Sequence, residues 1–428
     1  MREDLLEIEI GAFSKIQNGY AFKSKEYVDK GLRIIRIANV QSGEIIDRDP
    51  KFYPGSRLSE FKDYVIEEDD FLISLTGNVG RVGRIGKSLL PALLNQRVGK
   101  FNLQTNSIEK SYLYYFLTSR VFVHQVIKSS KGVGQLNTSS KKIEAIKIPI
   151  APLSEQRTIV AKIEELFSDL DKGIANLKKA QDQLKVYRQA VLKKAFEGEF
   201  NQVKVIEIAD VNTGATPKRG NVKYWENGNI PWVTSGVVNK PFVNEPSEHI
   251  TDIAIKETNC KIIEKGSLLV AMYGEGKTRG KCCELNIDAA TNQALAAITL
   301  KEETQYSKEF VKWFFVKNYE EIRLLSSGGV QPNLNLTLIK NTILPFPSEE
   351  VQHQIVQEIE SRLSVCDKVE ESITESLEKA KALRQSVLKK AFEGTLLSKE
   401  EIAACKAAPD YEPASVLLEK IKAEKKKK

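Results

Sequence analysis

Three stretches of the chain and one recurring Asn-Gln pair carry residues whose types and spacing could do chemistry. "GRVGRIGKS" at 80–88 is close to a phosphate-binding loop, but Arg81 stands where the motif needs glycine, and Pro91 blocks the helix that should follow. A basic turn between strands fits those residues better. "GEGKTRGK" at 274–281 holds Glu275 and Lys277, spaced like half of a metal-dependent nuclease site. The acidic partner that chemistry requires is missing, because Glu264 and Asp252 sit in no matching frame. A loop of lysine and arginine that meets phosphates explains the same residues. "TGATPKRGNVKYW" at 213–225 offers Lys218 and Arg219 to phosphates, and its amides and hydroxyls to groove edges. A solvated turn over packed Tyr224 and Trp225 fits that stretch equally well. Asn95-Gln96 and Asn292-Gln293 suit an amide that braces a loop better than one that reads a base. No Ser/His/Asp set, paired-carboxylate motif or GxGxxG element stands elsewhere.

Metal and redox chemistry find little support. Cys260, Cys282, Cys283, Cys366 and Cys405 show no CxxC spacing, and His124, His249 and His353 are far apart. These thiols are expected to be reduced packing residues. With 41% hydrophobic and 28% charged residues, the composition is that of a soluble globular protein. No apolar run nears the roughly 20 residues that span a bilayer, and "MREDLLEIEI" lacks the form of a signal peptide, so a cytoplasmic location is expected. The net charge of +7, part of it in a terminal "EKKKK" that reads as a frayed tail, permits nucleic acid as a partner without requiring it.

The elements that position these loops are announced by a repeat. "RQAVLKKAFEG" at 188–198 returns as "RQSVLKKAFEG" at 384–394, and the same offset aligns "IPIAPLSEQRTIVAKI" (148–163) with "LPFPSEEVQHQIVQEI" (344–359). Gln156 falls on Gln352, and Pro149 on Pro345. Apolar or small residues recur at spacings of three and four from Ile163 to Val191 and from Ile359 to Val387, a heptad seam. Ser154 and Ser348 are the expected N-caps, Gly198 and Gly394 the expected stops. A helix over about 154–196 would be roughly 60 Å long, so a coiled coil is expected. Only six residues, 199–204, separate Gly198 from the first strand-like run, "VIEIADV" (205–211). The domain between the helices can then begin and end in one place only if the helices are antiparallel.

The expected fold class is α+β: two mixed globular domains at opposite ends of a long antiparallel two-helix coiled coil, with a pseudo-two-fold internal repeat. The divisions are 1–150, the first helix 151–198, 199–345, the second helix 346–396 and a tail 397–428. The globular segments share a faint plan of strand, basic Gly-rich loop, Asn-Gln strand, one aromatic helix ("SYLYYFLTSRVFVHQVI" or "SKEFVKWFFVKNYEEIRLL") and a Gly-Gln-Asn loop.

In this order of domains, in "PLSEQRTIV", in the twice-used "VLKKAFEG", in "TGATPKRGNVKYW", "YGEGKTRGK" and "TNQALAAI", and in the closing "EPASVLLEKIKAEKKKK", the chain resembles the specificity subunits of type I restriction-modification systems. "SEEVQHQ" departs from the "SEQRT" of the first helix. The resemblance implies two target-recognition domains, each reading half of a split sequence in double-stranded DNA, joined by helices that set the gap and dock two modification subunits. It places S-adenosylmethionine, ATP and Mg on the modification and restriction subunits, and no cofactor, metal or catalytic residue in this chain. Lys23, Arg81, Arg84 and Lys87 in the first domain, and Lys218, Arg219, Lys223, Lys277 and Arg279 in the second, are then the candidate DNA-binding cations. Two rivals are a stand-alone enzyme, such as a nuclease using Glu275 and Lys277, and a coiled-coil adaptor without DNA contact. The adaptor leaves two basic-looped domains of one plan unexplained.

Overall fold

The computed structural model describes residues 5–132, 136–273, 278–324 and 334–426. The chain divides into two compact units: Met1–Leu177 with Glu375–Lys428, and Lys178–Thr374. Each unit therefore takes one globular domain and half of each long helix. A helical stretch with one apolar seam has no core of its own and joins the domain beside it.

The two globular domains share one topology strand for strand. In the first unit a five-stranded sheet runs Ser14–Asn18, Val98–Leu103, Phe71–Ser74, Val82–Arg84, Gly43–Glu44, and a four-stranded sheet runs Phe52–Tyr53, Leu32–Ile35, Ala92–Leu94, Val65–Ile66. The second unit repeats both orders with Ala209–Thr213, Leu295–Leu300, Leu268–Ala271, Cys282–Leu285, Phe242–Val243, and with Glu248–Ile250, Ile230–Val233, Ala289–Thr291, Ile262–Ile263. Parallel pairs fall at the same places, Leu32–Ile35 with Ala92–Leu94 and Ile230–Val233 with Ala289–Thr291. A two-stranded ribbon, Leu6–Glu9 with Lys147–Ile150 or Asn201–Lys204 with Ile343–Phe346, brings the ends of each domain together.

The central strands are buried on both faces, which is why their sequence does not alternate. Leu268 and Val270 face a helical layer with Phe310 and Phe315, while Leu269 and Ala271 face the smaller sheet with Val233 and Ala289. Phe71 and Ile73 divide from Leu72 in the same way in the first unit. Four cysteines are buried in these cores and against the long helices, and all five thiols are free. Burial pushes the Cys283 thiol up to about 12. No helix among the described residues is long and apolar enough to cross a membrane.

The long helices span Leu153–Ala195 and Glu349–Glu393, 43 and 45 residues. They run antiparallel within each unit. In the first, Ile159 and Ile163 share a core with Leu388, Ala391 and Phe392, and Arg384 pairs with Asp171 over the ring of Phe167. In the second, Val191 packs on Ile359 and Leu363, and Arg188 reaches Asp367 at 2.6 Å and Glu370 at 3.0 Å. Parts of the expected seam stay open. Tyr187, Val369 and Leu383 are exposed, because two helices alone cover only the centre of the seam.

Several local expectations are corrected. "VIEIADV" is not one strand: Val205–Ile208 is a helical turn, the strand is Ala209–Thr213, and Asn201–Lys204 precedes both. Each aromatic helix is two, Lys110–Leu117 with Arg120–Ser129 and Lys308–Lys317 with Tyr319–Leu324. Ser154 lies inside its helix and donates to the Cys405 carbonyl at 3.3 Å instead of capping. Gly394 follows its helix at φ +75°, the left-handed stop that glycine favours. Gly198 has no positive φ; a side chain there would strike the Phe200 ring. The terminal lysines are not frayed as far as Lys426, since helix Ala414–Lys426 sends Leu417 and Ile421 into the first core.

Gln156 and Gln352, aligned by the repeat, do the same work in each unit. Both side chains are fully buried. Gln156 accepts from the Glu109 amide at 2.9 Å and donates to the Ala151 carbonyl at 2.8 Å. Gln352 accepts from the Ser307 amide at 2.9 Å and donates to Gln305 and Pro347 carbonyls. Each glutamine thus ties the start of a long helix to the start of the aromatic helix beside it. Gln156→Leu should lower stability by about 1–3 kcal/mol for each backbone group left buried without a partner, read as a lower urea midpoint of the whole chain. An unchanged midpoint would show that water replaces the amide at no cost.

Candidate nucleic-acid interface

In both units the loops of interest leave one end of the central sheet. Strand Ser14–Asn18 delivers Gly19, strand Phe71–Ser74 delivers the loop ending at Arg81, and Asn95–Arg97 leads into Val98–Leu103. The second unit places Gly214, the loop ending at Lys281, and Asn292–Ala294 in the same positions. The glycines lie flat on the neighbouring strand. A Cβ on Gly19 would stand 2.2 Å from the Leu94 carbonyl oxygen, and one on Gly214 would stand 1.7 Å from that of Thr291. Only glycine allows the backbone so near.

The Asn-Gln pairs divide their labour. The Asn95 side chain accepts from the Arg97 amide at 3.4 Å, and Asn292 from the Ala294 amide at 3.1 Å, so both brace the turn as expected. Gln96 and Gln293 stay exposed, with Gln293 accepting from the Thr216 hydroxyl at 2.7 Å.

A cation held by an amide closes each loop. Arg81 donates to Gln41 at 2.9 Å, and Lys281 donates to Asn239 at 2.8 Å. The amides come from the loops that precede the edge strands Gly43–Glu44 and Phe242–Val243. Neither partner was legible, because 40 residues separate Arg81 from Gln41 and 42 separate Lys281 from Asn239.

Each unit also holds an arginine ion pair laid on aromatic rings, at the loop end in the second unit. In the second unit Arg219 lies 4.0 Å from the Trp225 ring centre and 5.1 Å from that of Trp232. Its two terminal nitrogens donate to Glu248 at 2.5 and 2.8 Å. Hydrogen bonding to that guanidinium holds the Glu248 carboxyl below its usual range. Trp225 donates to the Lys218 carbonyl and Trp232 to that of Ala215, which pins the loop at two points. In the first unit Arg57 lies over Tyr53 and Phe61, and it pairs with Glu26 at 2.8 Å and with Glu60. The same kind of pair is built there from different segments.

The predicted cations do not all meet. Arg81 reaches the loop end of the first unit, and Lys23 is exposed on the segment that follows the Tyr20–Asn95 bridge. Arg84 and Lys87 do not reach that end. Strand Val82–Arg84 runs back along the sheet, so Arg84 ends 3.6 Å from Asp69 and over Tyr114, with Lys87 on the turn beyond. Lys87 is followed by a single 3-10 turn, Lys87–Leu89, instead of the helix of a phosphate-binding loop. In the second unit Lys218 and Arg219 belong to the loop that follows Gly214, and Arg279 to the segment before Lys281. Lys223 lies instead on the turn Val222–Tyr224, where its carbonyl accepts from the Thr251 hydroxyl; Lys218 and Lys223 are exposed. Glu275 and Lys277 lie outside the described residues. Arg97, exposed beside Gln96, is an additional cation at the first loop end, and its place next to the Asn-Gln pair was the available signal.

Exposed lysines, paired arginines and side-chain amides on a fixed frame suit an extended polyanion whose edges carry donors and acceptors. Over residues 3–182 and 197–379 the chain matches the family described as type I restriction modification DNA specificity domain. It is 27% identical to the EcoBI specificity subunit of Escherichia coli, over 99% of this chain and 93% of that protein. To the EcoKI specificity subunit of Escherichia coli strain K12 it is 24% identical, over 97% and 94%. Among solved structures, it superposes on the HsdS subunit from Thermoanaerobacter tengcongensis with a TM-score of 0.55 at 17% identity, over 92% of this chain and 98% of that one. A chain from a study of complex assembly and conformational transition in the type I R-M system gives 0.69 at 19% identity, over 92% and 99%. Two copies of one topology, two matching segments and relatives aligned along their whole length agree: the chain belongs to the type I restriction-modification DNA specificity family.

Proposed function

We propose that this chain is the DNA-recognition subunit of a cytoplasmic type I restriction-modification complex, and that each unit reads one half of a bipartite target through its loop end. The observation that carries this reading is the pairing of one frame with two sets of side chains. Strand order, glycine contact, Asn turn and amide-held cation recur, while the residues exposed between them differ. Identical readers would need identical loops; a split, asymmetric target needs different ones. The long helices serve as the spacer and as the seat of two modification subunits. An apolar groove of about 360 Å³ on the first unit's helix pair, lined by Leu166, Leu170, Ile174, Leu177, Leu383 and Val387, supports that seat. S-adenosylmethionine chemistry on adenine belongs to those partners, and ATP-driven translocation and Mg-dependent cleavage to separate restriction subunits.

The test is methylation of a plasmid library. The chain alone, with S-adenosylmethionine, should methylate nothing, and addition of its modification subunit should mark one split sequence. Cleavage of DNA by the purified chain in Mg, lost in Lys277→Ala, would replace this reading with the nuclease one. Binding should weaken steeply with salt as phosphate contacts release counterions. Lys218→Ala should weaken binding to all sequences alike and lower the slope of log K against log salt by about one. An unchanged slope would leave Lys218 a solvated surface lysine.

A further inference from the structure

We infer that Arg219 and Glu248 are positioning residues, which fix the loop of residues 214–223 for the second half-site without themselves touching DNA. The inference rests on the recognition reading above and assigns a role within it. Three observations lead to it. Both terminal nitrogens of Arg219 donate to the two oxygens of Glu248, so its end-on donor pair is turned toward the protein and the side chain is held in one orientation. The guanidinium also lies against Trp225 and Trp232, whose indole N–H groups hold the backbone of the loop at Lys218 and Ala215. Ion pair, rings and loop therefore form one braced unit, and Lys218 and Lys223 are the exposed charges it presents. The first unit also lays an arginine ion pair, Arg57 with Glu26 and Glu60, on the rings of Tyr53 and Phe61, at a different place in its sheet. Phosphate contact needs no carboxylate partner, and Glu248 there would repel DNA. A brace needs both charges.

The two roles predict opposite signs. If Arg219 were a DNA contact restrained by Glu248, Glu248→Gln would free the arginine, remove a repelling charge and tighten binding. As a brace, Glu248→Gln should weaken binding to the specific duplex on the order of tenfold, the value of one charge-assisted hydrogen bond, and leave random duplex unaffected. Arg219→Gln removes both the charge and the planar fork. It should show the same specific loss with an unchanged salt slope, whereas Lys218→Ala lowers the slope. The assay is fluorescence anisotropy of the full chain with its modification subunit, on the target duplex, on the target with the second half-site scrambled, and on random duplex, each across a salt series. Thermal unfolding and an intact first-half-site preference check that the variants are folded. Tighter or unchanged specific binding by Glu248→Gln, or a salt slope lowered by about one in Arg219→Gln, overturns the brace. If Glu248→Gln does not fold, Arg219→Gln decides alone. Wild-type protein that fails to prefer its target overturns the recognition reading itself, so the two failures are distinct.

Discussion

Replacing residues 1–150 with the matching domain of a relative should change one half of the methylated sequence completely and leave the other half as it was. The expectation follows from how the cores divide. Ile8, Phe71, Phe101 and Phe116 belong to the first unit's core, whereas Val211, Leu268, Val270 and Phe315 belong to the second's. A graft into the first leaves the packing beneath the Gly214 loop untouched. Each base pair that the new loops no longer match costs about 1–3 kcal/mol, so several together eliminate methylation of the original target. The graft must also respect the helices. Tyr112 and Phe116 both pack on Phe392, with ring centres 5.1 and 5.2 Å away, and the Glu109 amide fills the Gln156 acceptor. A donor domain with aromatics at those two places should dock; one without them should give a poorly folded chain and no methylation at any sequence. Methylome sequencing of cells carrying the chimaera reads the outcome. A change in both half-sites together would show that the units are not independent readers.

Inserting four residues into both long helices, after Lys178 and Thr374, should move methylation to targets whose unspecified gap is one or two base pairs longer. The chain passes between its two units at these positions. Four residues add about 6 Å of helix. They also make close to a full turn, so each apolar seam continues to face its partner across a local stutter. The duplex advances ~34 Å per turn, so 6 Å is about two base pairs before its own rotation is taken into account. Both half-sites should keep their bases, because the insertions lie outside the loops. An insertion into one helix alone should behave worse. The Arg384–Asp171 pair and the Arg188 pairs with Asp367 and Glu370 share one antiparallel register, which a lengthened helix cannot keep at both places. That variant should lose methylation altogether. Full methylation at the original gap in the double insertion would show that the helices do not measure distance.

The helices were legible because their signal is local. Residues three and four apart share a helix face, so the seam from Ile163 to Val191, and its repeat from Ile359 to Val387, could be traced without any knowledge of the fold. The antiparallel direction followed from the short link after Gly198, and each unit shows it. The plan common to the two domains was visible only faintly, since most of their strands have two to five residues and the central ones are buried on both faces, which erases alternation.

What the tertiary structure alone decided is which charged residues stand together. Arg84 and Lys87 follow Arg81 closely in the chain, yet the reversal of strand Val82–Arg84 carries them to the far end of the sheet. Arg219 sits beside Lys218 in a basic loop, yet Glu248, brought alongside from strand Glu248–Ile250, pairs with both of its terminal nitrogens. Gln156 and Gln352 were matched by the repeat, but their use as buried ties depends on helices that begin near residues 109 and 307. A side chain's type is written in the sequence. Whether its charge or hydrogen bond is free depends on partners tens of residues away, brought close by strand pairing and burial, and no local periodicity records them.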